Sequence, residues 1–194
     1  MKKTLENLSK AFAGESQARN RYNIYAKIAI KEGYQQIGEI FNQTAEQERE
    51  HAGRFFKMIQ LVKEKMGEKI NEINVPTTIV SEIGDTMTNI QTAINGEHEE
   101  QSNLYPEFAK IAQEEGLPEV SARINAIIKA EMHHEERYNK LLNELKNNSI
   151  FEKKEEIEWA CSKCGYVHKG KFPPNACPSC GHDKGYFLVK SENY

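Results

Sequence analysis

The chain has 194 residues, 38% of them hydrophobic and 28% charged, enough for one ordinary domain and a small appended one. Its 26 basic and 29 acidic side chains leave a net charge of −3, so no general basic field points to nucleic acid or an anionic membrane surface. No apolar run approaches the ~18 residues of a membrane span. The segment Met1 to Asn7 lacks the apolar stretch of a secretory signal, so the expected setting is cytoplasmic.

Residues 4–146 carry the apolar spacing of helices almost throughout. The first segment presents Leu5, Leu8, Phe12, Tyr22, Ala26 and Ala29 on one face, and the second Ile37, Phe41, Phe55, Met58 and Val62. The third presents Ile83, Met87, Ile90, Ile94, Leu104, Phe108 and Ile111, and the fourth Val120, Ile124, Ile127, Tyr138, Leu141 and Leu145. Gly33 and Gly116 mark breaks between paired helices, and Gly67 to Pro76 reads as a longer crossover between the pairs. Pro76 and Pro118 fall near predicted helix starts, whereas Pro106 falls inside the third helix and is expected to kink or loosen it. The expected architecture is an all-α four-helix bundle over 1–146, a polar linker over 147–157, and a small second module over 158–194.

The chain also repeats itself. Shifted by 83 positions, residues 22–55 align on 105–138 without a gap, pairing Tyr22 with Tyr105, Gly33 with Gly116, Glu48 with Glu131 and His51 with His134. Glu15 meets Glu97 only after a slip of one residue. Each half is therefore a helix pair with the same polar residues, and two halves packed face to face make a pseudo-twofold site.

Glu48, His51, Glu131 and His134 occupy positions on the apolar face of their helices, as do Glu15 and Glu97 on theirs. A single Glu-x-x-His on a charged helix is usually solvated surface. Two copies at equal depth, with a further Glu on each remaining helix, bury acids that would each cost several kcal/mol without a shared cation. Glu-x-x-His places a carboxylate and an imidazole on one helix face, a donor set suited to iron or manganese. Glu100 lies one turn beyond Glu97 and has no acidic counterpart in the first half, so one metal has a choice between Glu100 and His51. Tyr22 and Tyr105 lie two turns from Glu15 and Glu97, as hydrogen-bond donors to ligand carboxylates or as core aromatics. His98 and His133 fall off the seam.

All four cysteines lie in the second module, as Cys161-x-x-Cys164-Gly and Cys177-x-x-Cys180-Gly. This spacing makes a four-thiolate site for one iron or a structural zinc. A module this short depends on its metal for stability. An electron carrier beside a redox centre favours iron there, with zinc as a substitute.

The segments Ala13-Gly14-Glu15-Ser16-Gln17-Ala18-Arg19, Gln47-Glu48-Arg49-Glu50-His51, Gly96-Glu97-His98-Glu99-Glu100 and Ala130-Glu131-Met132-His133-His134, followed by Cys161 to Cys180, resemble the rubrerythrin family over nearly the whole chain. The resemblance implies a ferritin-like di-iron bundle with a C-terminal rubredoxin-like domain. It implies that Glu48 and Glu131 bridge two irons, that Glu15 binds one and that Glu97 with His134 binds the other. It further implies that the first iron exchanges Glu100 for His51 on reduction, which makes these two the catalytic pair. The implied activity is reduction of hydrogen peroxide to water in defence against oxidants. Electrons would come from an NAD(P)H-linked reductase or a rubredoxin through the thiolate-bound iron. The implied assembly is a homodimer with the rubredoxin-like domain of one chain near the di-iron site of another. The competing expectation is a ferroxidase or iron-storage protein, which has no need of an appended one-electron carrier.

Overall fold

A computed structural model describes residues 1–192. Four long rods make the bundle. They are α1 (Lys2–Lys31), α2 (Gln35–Met66), a composite rod of α3 (Thr86–Glu99) and α4 (Tyr105–Glu114), and α5 (Pro118–Lys146). Among the described residues no helix is long and apolar enough to cross a membrane. Their apolar faces form two core clusters. One gathers Leu8, Phe55, Tyr105, Phe108, Leu117 and Ile124, and the other gathers Tyr22, Tyr25, Phe41, Ile90 and Tyr138. The buried acids belong to neither cluster.

The two helix hairpins close in the same way. Gly33 and Gly116 adopt φ of +88° and +79°, a left-handed conformation that disfavours a side chain. In each, the next residue's N–H reaches back to a carbonyl five residues earlier, Tyr34 to Ala29 and Leu117 to Ala112, both at 2.9 Å. The crossover between pairs is longer than the sequence suggests. It runs from Gly67 to Asp85, whose carboxylate caps α3 by accepting from the Thr88 N–H at 2.8 Å. Ile83 therefore precedes the helix and is 59% exposed, and Met87 in its first turn is 38% exposed.

Between α3 and α4 the chain forms a π-turn at Glu100–Leu104, with the Tyr105 N–H bonded to the Glu100 carbonyl. Pro106 has no N–H to give an α-helical partner and its ring crowds the preceding turn, so the loosening expected at this proline takes the form of a π-turn. The turn inserts one residue. That residue is the slip seen in the repeat: Glu15 and Tyr22 are separated by one residue fewer than Glu97 and Tyr105.

The C-terminal module is a three-stranded antiparallel sheet in the order β2 (Val167–Gly170), β1 (Ile157–Cys161), β3 (Phe187–Val189). Its small core is Trp159, Cys161, Cys177 and Phe187, with the Trp159 indole N–H donating to the Gly170 carbonyl at 2.9 Å. The module rests on the α1–α2 turn. Phe151 stacks on Tyr34 with centroids 6.1 Å apart, and a Cβ at Gly185 would lie 2.3 Å from the Gly33 carbonyl. Phe151, in the connection after α5, is thus part of the docking contact.

Two measurements probe this scaffold. The N-terminus of α1 has no side-chain cap of its own, and Glu115 supplies one from the far end of α4 by accepting from the Thr4 N–H at 2.8 Å and pairing with the Met1 ammonium at 2.7 Å. Burial opposes ionisation, but these partners hold the carboxyl down at about 2. A depressed carboxyl contributes stability above its unfolded pKa and loses it as pH falls through the folded one. Glu115→Ala is expected to cost about 1 kcal/mol at neutral pH. In urea titrations the gap should close between pH ~4.3 and ~2; a pH-independent gap would contradict the assignment. Deleting Asn103 and closing the π-turn to α-helix restores the seven-residue spacing that Glu15 and Tyr22 have in α1, so Tyr105 keeps its register with Glu97. The expected result is little change in helical circular dichroism and retained cation uptake at the waist; lost uptake would show that the turn itself is needed to set the register.

Candidate metal centre

The six acids and imidazoles of the waist are delivered by all four rods. Glu15 comes from α1, Glu48 and His51 from α2, Glu97 from α3, and Glu131 and His134 from α5. Glu15, Glu48, Glu97, Glu131 and His134 are buried, the least covered of them at 2% exposure. Their ligand atoms fall into two overlapping sets, each within 4.8 Å: Glu15, Glu48, His51 and Glu131, and Glu48, Glu97, Glu131 and His134. Glu48 and Glu131 belong to both sets, as carboxylates that bridge two cations must.

The donors face one another and not the solvent. His51 Nδ1 lies 2.8 Å from Glu48 Oε2 and 2.9 Å from Glu131 Oε1. His134 Nδ1 lies 2.9 Å from Glu131 Oε2, 3.2 Å from Glu48 Oε1 and 3.4 Å from Glu97 Oε2. Yet His134 Nδ1, both Glu131 oxygens, Glu48 Oε1, Glu97 Oε2 and Glu15 Oε2 are buried without a hydrogen bond of normal geometry. Carboxylate and imidazole donors converge with several of their atoms unsatisfied, which is the arrangement a pair of cations satisfies.

The electrostatics of the protein atoms point the same way. Burial, followed by the charges of Glu131, Glu100 and Glu48, pushes Glu15 well above the usual carboxylate range. Burial and Glu48 raise Glu97 to about 8. Glu131 is held at about 2 because the two imidazoles outweigh its burial. Those imidazoles are raised in turn, His51 to about 10 and His134 to about 12, with the carboxylates overcoming burial. So many acids cannot all be ionised in one dry space without added positive charge.

The tyrosines act across the pseudo-twofold axis. The Tyr22 hydroxyl donates to Glu97 Oε1 and the Tyr105 hydroxyl to Glu15 Oε1, each at 2.5 Å. Each half thus orients the unpaired acid of the other. His98 and His133 are exposed. Glu100 is in neither donor set among the described residues. It faces a cavity of about 610 Å³ between α1, α3 and the crossover, lined also by Gly14, Arg21, Pro76 and Gly96. The sequence reading missed the two glycines, although the repeated Gly-Glu of Gly14-Glu15 and Gly96-Glu97 carries the signal. Glycine within a helix costs up to about 1 kcal/mol. Here a Cβ would make ordinary van der Waals contact, 3.8 Å from Glu100 Oε1 at position 14 and from the Arg21 guanidinium at position 96.

In the module the four sulfurs form one cluster, with Cys161 and Cys180 3.8 Å apart and Cys164 and Cys177 3.6 Å apart. Gly165 and Gly181 follow the second cysteine of each pair at φ of +76° and +77°. These turns aim the Tyr166 N–H at Cys164 and the His182 N–H at Cys180. The Tyr166 N–H brings the Cys164 thiol down to about 6. Against the pull of His182, desolvation and the facing sulfurs push Cys180 up to about 12. Four thiolates at this spacing require a cation between them.

Comparison with known proteins gives the same two parts. The rubrerythrin family profile matches residues 6–142, and that of the rubrerythrin rubredoxin-like domain matches 159–188. A protein described as a putative rubrerythrin from Methanocaldococcus jannaschii is 50% identical over 199 residues, covering 100% of this chain and 96% of the relative. Rubrerythrin-1 of Clostridium acetobutylicum is 50% identical over 192 residues, covering 99% of this chain and 96% of the relative. A solved structure of nigerythrin in a mixed-valence state superposes with a TM-score of 0.63 at 32% identity, covering 96% of this chain and 86% of that one. The bundle's centre is accordingly a ferritin-like di-iron site of carboxylate and imidazole donors, and the four cysteines form a rubredoxin-like metal site, with iron the metal expected in both. The chain belongs to the rubrerythrin family.

Proposed function

We propose that the protein reduces hydrogen peroxide to water at the waist of the bundle, with electrons passing through the four-cysteine iron. The supporting observation is the convergence of four buried carboxylates and two imidazoles on one site, in a chain that also carries a four-thiolate module. In this reading Glu48 and Glu131, which belong to both donor sets, would be shared by the two irons, with Glu15 and His51 holding one and Glu97 and His134 the other. Cys161, Cys164, Cys177 and Cys180 hold the mononuclear iron. Bound iron supplies the electrons and the Lewis acidity for O–O cleavage.

The chain's own groups do the rest. Tyr22 and Tyr105 fix Glu97 and Glu15 so that their free oxygens stay aimed inward. The cavity beside Glu100 gives peroxide a path from solvent. His51 shares a donor set with Glu15, and the Glu100 charge acts on Glu15 as well, so in this reading either side chain completes that set. Carboxylate suits the ferric state and neutral imidazole the ferrous one.

The module docks at Gly33, fifteen residues along α2 from Glu48, which is roughly 22 Å at 1.5 Å per residue. That separation favours direct delivery to the irons from the module of a second chain in a homodimer. The external donor is a rubredoxin or an NAD(P)H-dependent reductase, and the setting is cytoplasmic.

The test is anaerobic reduction of the iron-loaded protein followed by peroxide, watching the visible band of the thiolate-bound ferric iron return. Return should be faster with peroxide than with dioxygen; the reverse order would contradict the reading. In Glu100→Ala the band should be intact and steady-state peroxide turnover at least ~10-fold lower. Full turnover in that variant would rule out an exchange between Glu100 and His51.

A further inference from the structure

The pseudo-twofold axis provides an internal control for the aromatic residues of the core. Under the 83-residue shift Tyr22 corresponds to Tyr105, Tyr25 to Phe108, Tyr138 to Phe55 and Phe41 to Ile124. The two ends of the bundle are therefore packed alike but differ in what can be oxidised. Around Tyr105 stand Phe55, at 5.3 Å between centroids, and Phe108, at 6.1 Å. Around Tyr22 stand Tyr138 at 5.7 Å, Phe41 at 5.8 Å and Tyr25 at 6.4 Å, with Phe41 and Tyr138 themselves 5.2 Å apart. All four rings are buried. Since the far end makes the same packing with phenylalanine and isoleucine, packing does not explain phenols at this end. The Tyr25 hydroxyl has a structural use, donating to the Glu82 carbonyl of the crossover at 2.6 Å.

The phenol-rich end also faces the cysteine module. Tyr34 packs against this cluster and stacks on Phe151, above which Lys184 places its ammonium 5.6 Å from the ring centroid. The phenol cluster thus lies between Glu97 and the docking face of the same chain's module, with Tyr34 packed against it.

We propose that Tyr22 is a redox-active tyrosine, and that the Tyr138–Phe41–Tyr25 cluster is the path by which it is restored. The proposal rests on the peroxidase reading. Peroxide needs two electrons, and a single mononuclear iron delivers one at a time. A half-reduced di-iron centre that meets peroxide is one electron short, and Tyr22 supplies it. The balance is H2O2 with two electrons and two protons giving two water molecules. One electron comes from the half-reduced centre and one from the Tyr22 phenol. The Tyr22 O–H bond breaks, its proton goes to Glu97 Oε1, 2.5 Å away, and on to the water formed, and the second proton comes from solvent. Tyr22 is left as a neutral phenoxyl until an electron from the thiolate iron, and a proton, restore it. Tyr105 has the matching hydrogen bond to Glu15 but no electron-rich neighbours, and it stays reduced.

The test mixes half-reduced, iron-loaded protein with one equivalent of peroxide and freezes it for electron paramagnetic resonance. The expected result is a transient phenoxyl signal that narrows when the protein is made with ring-deuterated tyrosine. It should vanish in Tyr22→Phe, persist in Tyr105→Phe, and decay several-fold more slowly in Tyr138→Phe. Should Tyr22→Phe fail to load iron, ring-fluorinated tyrosine in the wild-type, Tyr105→Phe and Tyr138→Phe proteins locates the radical by its added hyperfine splitting. Oxidation of the half-reduced centre without a phenoxyl signal, or a signal that survives in Tyr22→Phe, overturns the proposal and leaves the peroxidase reading standing. A fully reduced centre that peroxide does not oxidise overturns both.

Discussion

Four carboxylates and two imidazoles share the dry centre of a helical bundle, and little else about the molecule makes sense without the cations that reconcile them. Left to themselves, the acids push each other's protonation up and leave lone pairs unsatisfied. A pair of divalent or trivalent ions turns that cost into cohesion, because each buried oxygen then has a partner that water cannot replace. The two hydrophobic clusters at either end hold the rods in register, and the metal-binding waist ties them together in the middle.

The duplicated helix pair explains how so demanding a site is assembled. Each half contributes one Glu-x-x-His helix and one helix with a lone glutamate, and each half's tyrosine orients the lone glutamate of the other. The symmetry is broken in two places. The π-turn at Glu100–Leu104 adds a residue and brings a further acid to the rim of the site. The aromatic cluster beside Tyr22 replaces the phenylalanines and isoleucine of the other end with tyrosines and one phenylalanine. Under the proposed function the first departure would offer an exchangeable ligand and the second an oxidisable path.

Much of this was legible in the residues. Glu-x-x-His on an apolar helix face and paired C-x-x-C-Gly knuckles are local patterns, and local patterns survive in sequence. The family profiles support the two-part architecture that they imply. What escaped depended on geometry between distant segments. The helical spacing of Ile83 and Met87 suggests a crossover that ends at Pro76. In the folded chain Asp85 caps the helix after Ile83, and the strap it ends lies over α1. The one-residue slip between Glu15 and Glu97 was visible, but its meaning required the backbone: Pro106 removes a donor and the helix widens by one residue to compensate. The crossing of Tyr22 to Glu97 and Tyr105 to Glu15 could not be read from spacing along a single helix, since those bonds join residues 75 and 90 positions apart. The docking of Gly185 on Gly33 is likewise a tertiary contact with no periodic trace.

The central claim is that the waist exists to hold two cations between shared carboxylates. Crystals of iron-loaded protein, measured above and below the iron absorption edge, test it directly. Two anomalous peaks inside the bundle, both within bonding distance of Glu48 and Glu131, with a third among the four cysteines, are the expected outcome. A bundle that shows no peak between those glutamates, while the cysteine site is filled, would contradict it.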